Sequence, residues 1–150
     1  MKKQAYTMIG ALVFATLFAV STATAQSANQ PLTANIPFAF SAGNQTLPAG
    51  EYSVRCTSPA SDHKVLQIRS KDGSKSAMLQ TTSVIGKAQD GAKLVFHRYG
   101  DRYFLAQAWT PADNTGLQAP RSRAERVIAS QLASSERKTT TVALSRVDRK

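Results

Sequence analysis

Two runs rich in apolar residues, 94–99 (Leu-Val-Phe-His-Arg-Tyr) and 102–109 (Arg-Tyr-Phe-Leu-Ala-Gln-Ala-Trp), flank the dipeptide Gly100-Asp101. Glycine adopts positive φ at no steric cost, so a two-residue loop that starts with it suits a type I′ or II′ hairpin turn. Such a turn sets the register. Tyr99 faces Arg102, Arg98 faces Tyr103, His97 faces Phe104 and Phe96 faces Leu105. Side chains alternate along a strand. Leu94, Phe96 and Leu105 therefore share one face with Gln107, while Val95, Phe104 and Ala106 share the other with His97. Both faces carry apolar groups, which a sheet with one face in water does not need. This hairpin belongs at the centre of a sandwich or closed barrel, or beneath a helix.

The segments around it also read as short strands between turn signals. Leu32 to Phe40 alternates Ile36, Phe38 and Phe40 on one side. Pro37 lies inside this run and cannot donate to a ladder, which points to an edge strand or a bulge. Gly43-Asn44-Gln45-Thr46 and Leu47-Pro48-Ala49-Gly50 are bends. Glu51 to Thr57 alternates Tyr52, Val54 and Cys56 against polar neighbours. Val65 to Arg69 and Ala77 to Ile85 flank Lys71-Asp72-Gly73-Ser74, a hairpin turn. Thr110 to Gly116 has the composition of a loop. The period then changes. Ser122-Arg123-Ala124-Glu125 fits a capping box, and Ala124, Val127, Ile128 and Leu132 recur at helical spacing. A helix over about 121–134 is expected, docked by Val127, Ile128 and Leu132, with a last strand over about 139–145. The expected fold is mainly β: a single antiparallel β-sandwich or small β-barrel of about seven strands, with one helix near the C-terminus.

The N-terminus carries a different message. Met1-Lys2-Lys3 is basic, Ala5 to Val20 is uncharged and nearly all apolar or small, and Ala23-Thr24-Ala25 is a small-residue cleavage site. This is the three-part pattern of a secretory signal peptide. We expect residues 1–25 to be removed, leaving a single β-rich domain, 26–150, that starts at Gln26 and has no transmembrane segment. Removal takes away Lys2 and Lys3 and leaves 17 Lys and Arg against 9 Asp and Glu, a net charge of +8. A basic exported domain is drawn to anionic envelope polymers or lipid headgroups. Nucleic acid is not an expected partner for an exported chain.

The residues that could do chemistry are sparse. Cys56 is the lone cysteine, so no internal disulfide forms, and its phase with Tyr52 and Val54 points to burial. One cysteine and two histidines, His63 and His97, make no metal-ligand spacing. Ser-x-x-Lys occurs at Ser61–Lys64 and Ser135–Lys138, one copy leading into a strand and the other trailing a helix, without its companion motifs. Asn44-Gln45-Thr46 fits a glycosylation acceptor, but turn chemistry already accounts for it. His97, mid-strand, suits a hydrogen-bonded sheet histidine. No catalytic set, cofactor or metal is expected. Tyr99, Arg102, Tyr103 and Trp109 are the candidate binding residues, an aromatic and basic surface for a glycan or polyanion.

Three stretches carry a resemblance: Ile36-Pro37-Phe38-Ala39-Phe40 with Leu47-Pro48-Ala49-Gly50-Glu51-Tyr52; Leu94 to Leu105, read Leu-Val-Phe-His-Arg-Tyr-Gly-Asp-Arg-Tyr-Phe-Leu; and Ser122-Arg123-Ala124-Glu125-Arg126. Their order and spacing, over most of residues 32–135, resemble a group of small predicted exported proteins found in many copies in some soil bacteria. The resemblance implies an exported β-rich domain with a helix near its end, and brings no activity, cofactor or site residue with it. The leading functional expectation is a non-enzymatic binding or structural domain of the cell envelope, periplasmic or extracellular. A carrier of a small apolar ligand in a β-barrel is the alternative. A hydrolase, which would need His97 beside a serine and a carboxylate, comes third.

Overall fold

A computed structural model describes residues 31–58, 64–111, 113–132 and 138–146. The expected leader at 1–25 and the start at Gln26 lie outside the described residues, as do Ser61, His63 and Ser135. Eleven strands and one helix follow in chain order: β1 (Leu32–Ile36), β2 (Phe40–Ala42), β3 (Gln45–Leu47), β4 (Gly50–Cys56), β5 (Lys64–Ser70), β6 (Ser76–Ile85), β7 (Lys93–Tyr99), β8 (Arg102–Trp109), β9 (Thr115–Gln118), α1 (Arg123–Gln131), β10 (Lys138–Ala143) and β11 (Ser145–Arg146). The fold is mainly β with its helix near the C-terminus, as the periodicities imply. The strand count of about seven is too low.

Each extra strand has a local cause. Pro37 breaks the expected Leu32–Phe40 run: β1 stops at Ile36 and the chain resumes as β2 at Phe40, because proline offers no ladder N–H. The expected Gly43–Thr46 bend is tighter than read. Gly43, at φ 60°, and Asn44 alone make the turn, and Ala42 pairs with Gln45 to open β3. The last two residues of the expected Thr110–Gly116 loop, Thr115 and Gly116, form β9 with Leu117 and Gln118. The last strand bends at Leu144 into β10 and β11, which border different partners, β7 and β1.

The hydrogen-bonded path runs β10-β7-β8-β9-β6-β5-β4-β1-β11, with β2 joined to β3 and to β8. The β2–β8 pairing is parallel. The sheet is therefore mixed and open, where an all-antiparallel sandwich or a closed barrel was expected. Its long strand β6 serves both halves: Ser76 to Thr81 pair with β5, and Thr82 to Ile85 pair with β9. One core fills the space between the halves. Ile36, Tyr52, Val54 and Ile68 meet Phe40, Leu47, Leu94, Phe96 and Leu105, all nearly or wholly sealed from water. Phe40 packs edge-on against both Tyr52 and Phe96, at 5.3 and 5.4 Å between centroids, a favoured aromatic geometry. Cys56, paired with Leu66, is only half-buried at the end of β4 and is a free thiol.

The β7–β8 hairpin has the expected register from Tyr99–Arg102 back to Phe96–Leu105, with Gly100 at φ 59° in the turn. Beyond it the ladder shifts between Val95 and Phe96. Val95 pairs with Gln107, so Ala106 is the extra residue of a bulge. A bulge reverses the facing of everything past it. Gln107 thus leaves the expected face of Leu94 and Phe96 and joins His97, Phe104 and Trp109. On this second face Gln107 donates through Nε2 to Gln118 Oε1 and accepts from Trp109 Nε1. The indole lies over Gly86 and Gly116, where an added Cβ would come within 2.6 and 2.7 Å of ring atoms. One apolar face of the hairpin lies on the core, and the other meets Glu125 of α1 at His97 and Tyr99 and carries Trp109 over Gly86 and Gly116.

Candidate functional site

The hairpin tip pairs with the start of β10 at one end of the domain, and Glu125 joins α1 to the hairpin. Its carboxylate is 2 % exposed. Oε1 lies 2.7 Å from His97 Nδ1 and accepts from the Tyr99 hydroxyl at 3.3 Å. Arg121 Nε stands 4.0 Å away. A carboxylate oxygen only accepts, so the imidazole proton sits on Nδ1 in this pair. These bonds cover the cost of burying the charge.

Glu125 occupies the third helical position after the cap. Its N–H donates to Ser122 Oγ at 3.1 Å, which is half of the expected capping box. The other half is absent, because the carboxylate points down to the sheet instead of back to the cap. The expected docking of α1 by Val127, Ile128 and Leu132 is also corrected. Val127 is 48 % and Leu132 43 % exposed, Ile128 is half-buried, and Glu125 is the helix's one buried residue. The helix spans 123–131, shorter than the expected 121–134. Successive helical residues are 100° apart, and the Glu125 bonds turn the helix so that the apolar arc sits to one side of the contact.

The sequence-selected residues do not assemble into one surface. Tyr99 is buried under α1. Trp109 is buried further along the same face, over its two glycines. Arg102 is exposed, with its guanidinium 5.9 Å from the Phe104 ring centre. Tyr103 is on the opposite face of the hairpin, stacked on Phe38 at 3.8 Å with Arg98 over it at 5.4 Å. What the tip does present is charge. Arg98 and Arg102 flank the turn, each laid on an aromatic ring. Lys138 pairs in register with Arg98. Arg121, Arg123 and Arg126 surround Glu125 in sequence and are exposed. Set against these six basic groups, the acids at this end among the described residues are Asp101 and the buried Glu125. Reading residue by residue missed Arg98 and the three arginines around α1. The repeated Arg of Arg121-Ser122-Arg123-Ala124-Glu125-Arg126 was the available signal.

His97 has a carboxylate partner, yet among the described residues no serine or threonine hydroxyl is hydrogen-bonded to it, and Ser122 Oγ serves as the helix cap. The described residues hold no group of three or more His, Cys, Asp or Glu placed for a metal. No helix among them is long and apolar enough to cross a membrane. No family model matches the sequence, and no curated protein or solved structure matches it either.

Proposed function

We propose that this protein is a non-enzymatic binding domain of the cell envelope, exported by the leader at residues 1–25, whose basic end holds an anionic envelope component, polymer or lipid headgroup. The observation that carries this reading is the gathering of Arg102, Arg121, Arg123 and Arg126 on the α1 side of the hairpin tip, with Arg98 and Lys138 on its other face. Two of these guanidiniums are already laid over rings, so less side-chain freedom is lost when they meet a phosphate or carboxylate. The core of interlocked Phe40, Tyr52 and Phe96 supports this reading over that of a ligand carrier, which would use its interior for cargo.

The test is retention on purified envelope fractions and on a polyphosphate matrix, at low and at moderate salt. Exposed charge pairs weaken as the screening length falls to ~8 Å near physiological ionic strength. The protein is expected to bind at low salt and to elute as salt rises, and Arg102→Gln/Arg123→Gln/Arg126→Gln to elute earlier. No retention at low salt, or equal retention of the triple variant, overturns the reading.

A further inference from the structure

We infer that α1 is an interfacial helix that seats the basic end on an anionic lipid surface. The inference rests on the binding reading above and narrows it from anionic components in general to a membrane.

With Glu125 directed at the sheet, helical geometry places the other side chains around it. On one flank Leu132, at the C-cap, and Ile128 stand nearest Glu125, and Ala124, Gln131 and Val127 follow in turn to the crest. Arg126, Ser130 and Arg123 line the other flank and meet Val127 at the crest. Val127 and Leu132 are the large apolar side chains of this segment left open to water, at 48 % and 43 % exposure. A mainly apolar flank, interrupted by Gln131, set across the helix from a basic one is the pattern of a helix that lies in the headgroup region, with its apolar side toward the acyl chains and its cations at the phosphates. The aliphatic stems of Arg123 and Arg126 can lie along the same boundary. Arg102, on the same face of the hairpin as α1, and Arg121, beside Glu125, extend the cationic rim.

A soluble polyanion would use the arginines and leave Val127 and Leu132 in water. A bilayer uses both. The placement of open apolar side chains inside the basic end therefore favours the membrane.

Sedimentation with vesicles tests this, using protein purified in its exported form. Three partners are compared: vesicles of phosphatidylglycerol and phosphatidylethanolamine, vesicles of phosphatidylcholine alone, and soluble polyphosphate. The protein is expected to bind the anionic vesicles and not the neutral ones. Arg123→Gln/Arg126→Gln is expected to weaken vesicle binding by about 10–30-fold, from roughly a fivefold effect per basic residue near an anionic surface, and to weaken polyphosphate binding as well. Val127→Ser/Leu132→Ser is expected to weaken vesicle binding by about tenfold and to leave polyphosphate binding unchanged. An unchanged urea midpoint confirms that each variant is folded. If the Val127/Leu132 variant binds vesicles like the parent, or if it instead dissociates a dimer, the inference is overturned while the basic-end reading stands. If neither vesicles nor polyphosphate bind at low salt, both are overturned.

Discussion

Glu125 Oε1 and His97 Nδ1 lie 2.7 Å apart although 28 residues separate them in the chain. This bond, with the one from Tyr99, holds α1 on the outer face of the β7–β8 hairpin. The helix is attached by a polar anchor and not by the burial of an apolar stripe, which leaves Val127 and its arginine neighbours facing outward.

Removing the anchor should be costly. Glu125→Ala strands the imidazole N–H and the Tyr99 hydroxyl under the helix, and breaking a buried pair by deleting one partner costs ~3–5 kcal/mol. Glu125→Gln keeps an acceptor oxygen and should lose about 1.5–3 kcal/mol at most, the worth of a hydrogen bond to a charged group. Urea melts at neutral pH rank the two. An alanine variant as stable as the parent would show that α1 is not held by this bond.

The hairpin should be central to stability through both of its faces. Phe96 is sealed in the core and Phe104 is 2 % exposed on the opposite face. Each truncation to alanine is expected to cost about 3–5 kcal/mol. Arg102→Ala, on the exposed tip, should stay within ~0.5 kcal/mol. If Phe104→Ala melts like the parent while Arg102→Ala collapses, the second face carries no packing energy.

Two glycines should fail for different reasons. Gly116→Ala puts a methyl group 2.7 Å from the Trp109 ring. The indole must move, at ~1–3 kcal/mol for overpacking, and its fluorescence should shift to the red. Gly100→Ala meets no atom within 4 Å but sits at φ 59°. It should cost ~1–2 kcal/mol of backbone strain with the emission unchanged. A silent tryptophan in Gly116→Ala would contradict the ring's position.

Acid should act partly through the β5–β6 turn. The Ser70 hydroxyl, then the Ser74 N–H and hydroxyl, donate to the Asp72 carboxylate and hold its pKa at about 2, below the ordinary 3.8. A depressed carboxyl pKa contributes stability that is full above the unfolded value and is lost as the pH falls through the folded one. That contribution should fade between about pH 4 and pH 2. Asp72→Asn, which cannot titrate, should show a shallower loss of stability across this window. Equal acid slopes in parent and variant would remove Asp72 from the acid response.

Much of the β architecture is readable from short stretches of chain. The Gly100-Asp101 turn and its register, the irregularity at Pro37 (expected as an edge or a bulge and found as a break), the Asp72-Gly73 hairpin and the start of α1 at Ser122 all depend on residues within a few positions of each other. Their causes are steric and local: positive φ at glycine, a missing donor at proline, a hydroxyl at the cap. The outer-face aromatic layer follows from alternation alone as far as Phe104. Its continuation does not, because the bulge at Ala106 arises where β8 must serve β7 along its length, β2 at one end and β9 at the other. That demand turned Gln107 over and set Trp109 on Gly86 and Gly116. The orientation of α1 was beyond the sequence for the same reason. Helical spacing identifies an apolar arc, but a buried carboxylate with partners outweighs partial burial of Val127 and Leu132, and those partners, His97 and Tyr99, sit on a strand that only the tertiary fold brings beneath the helix. The single chain segment that supplies both β10 and β11, one on each border of an open sheet, is likewise a product of long-range pairing that no local pattern encodes.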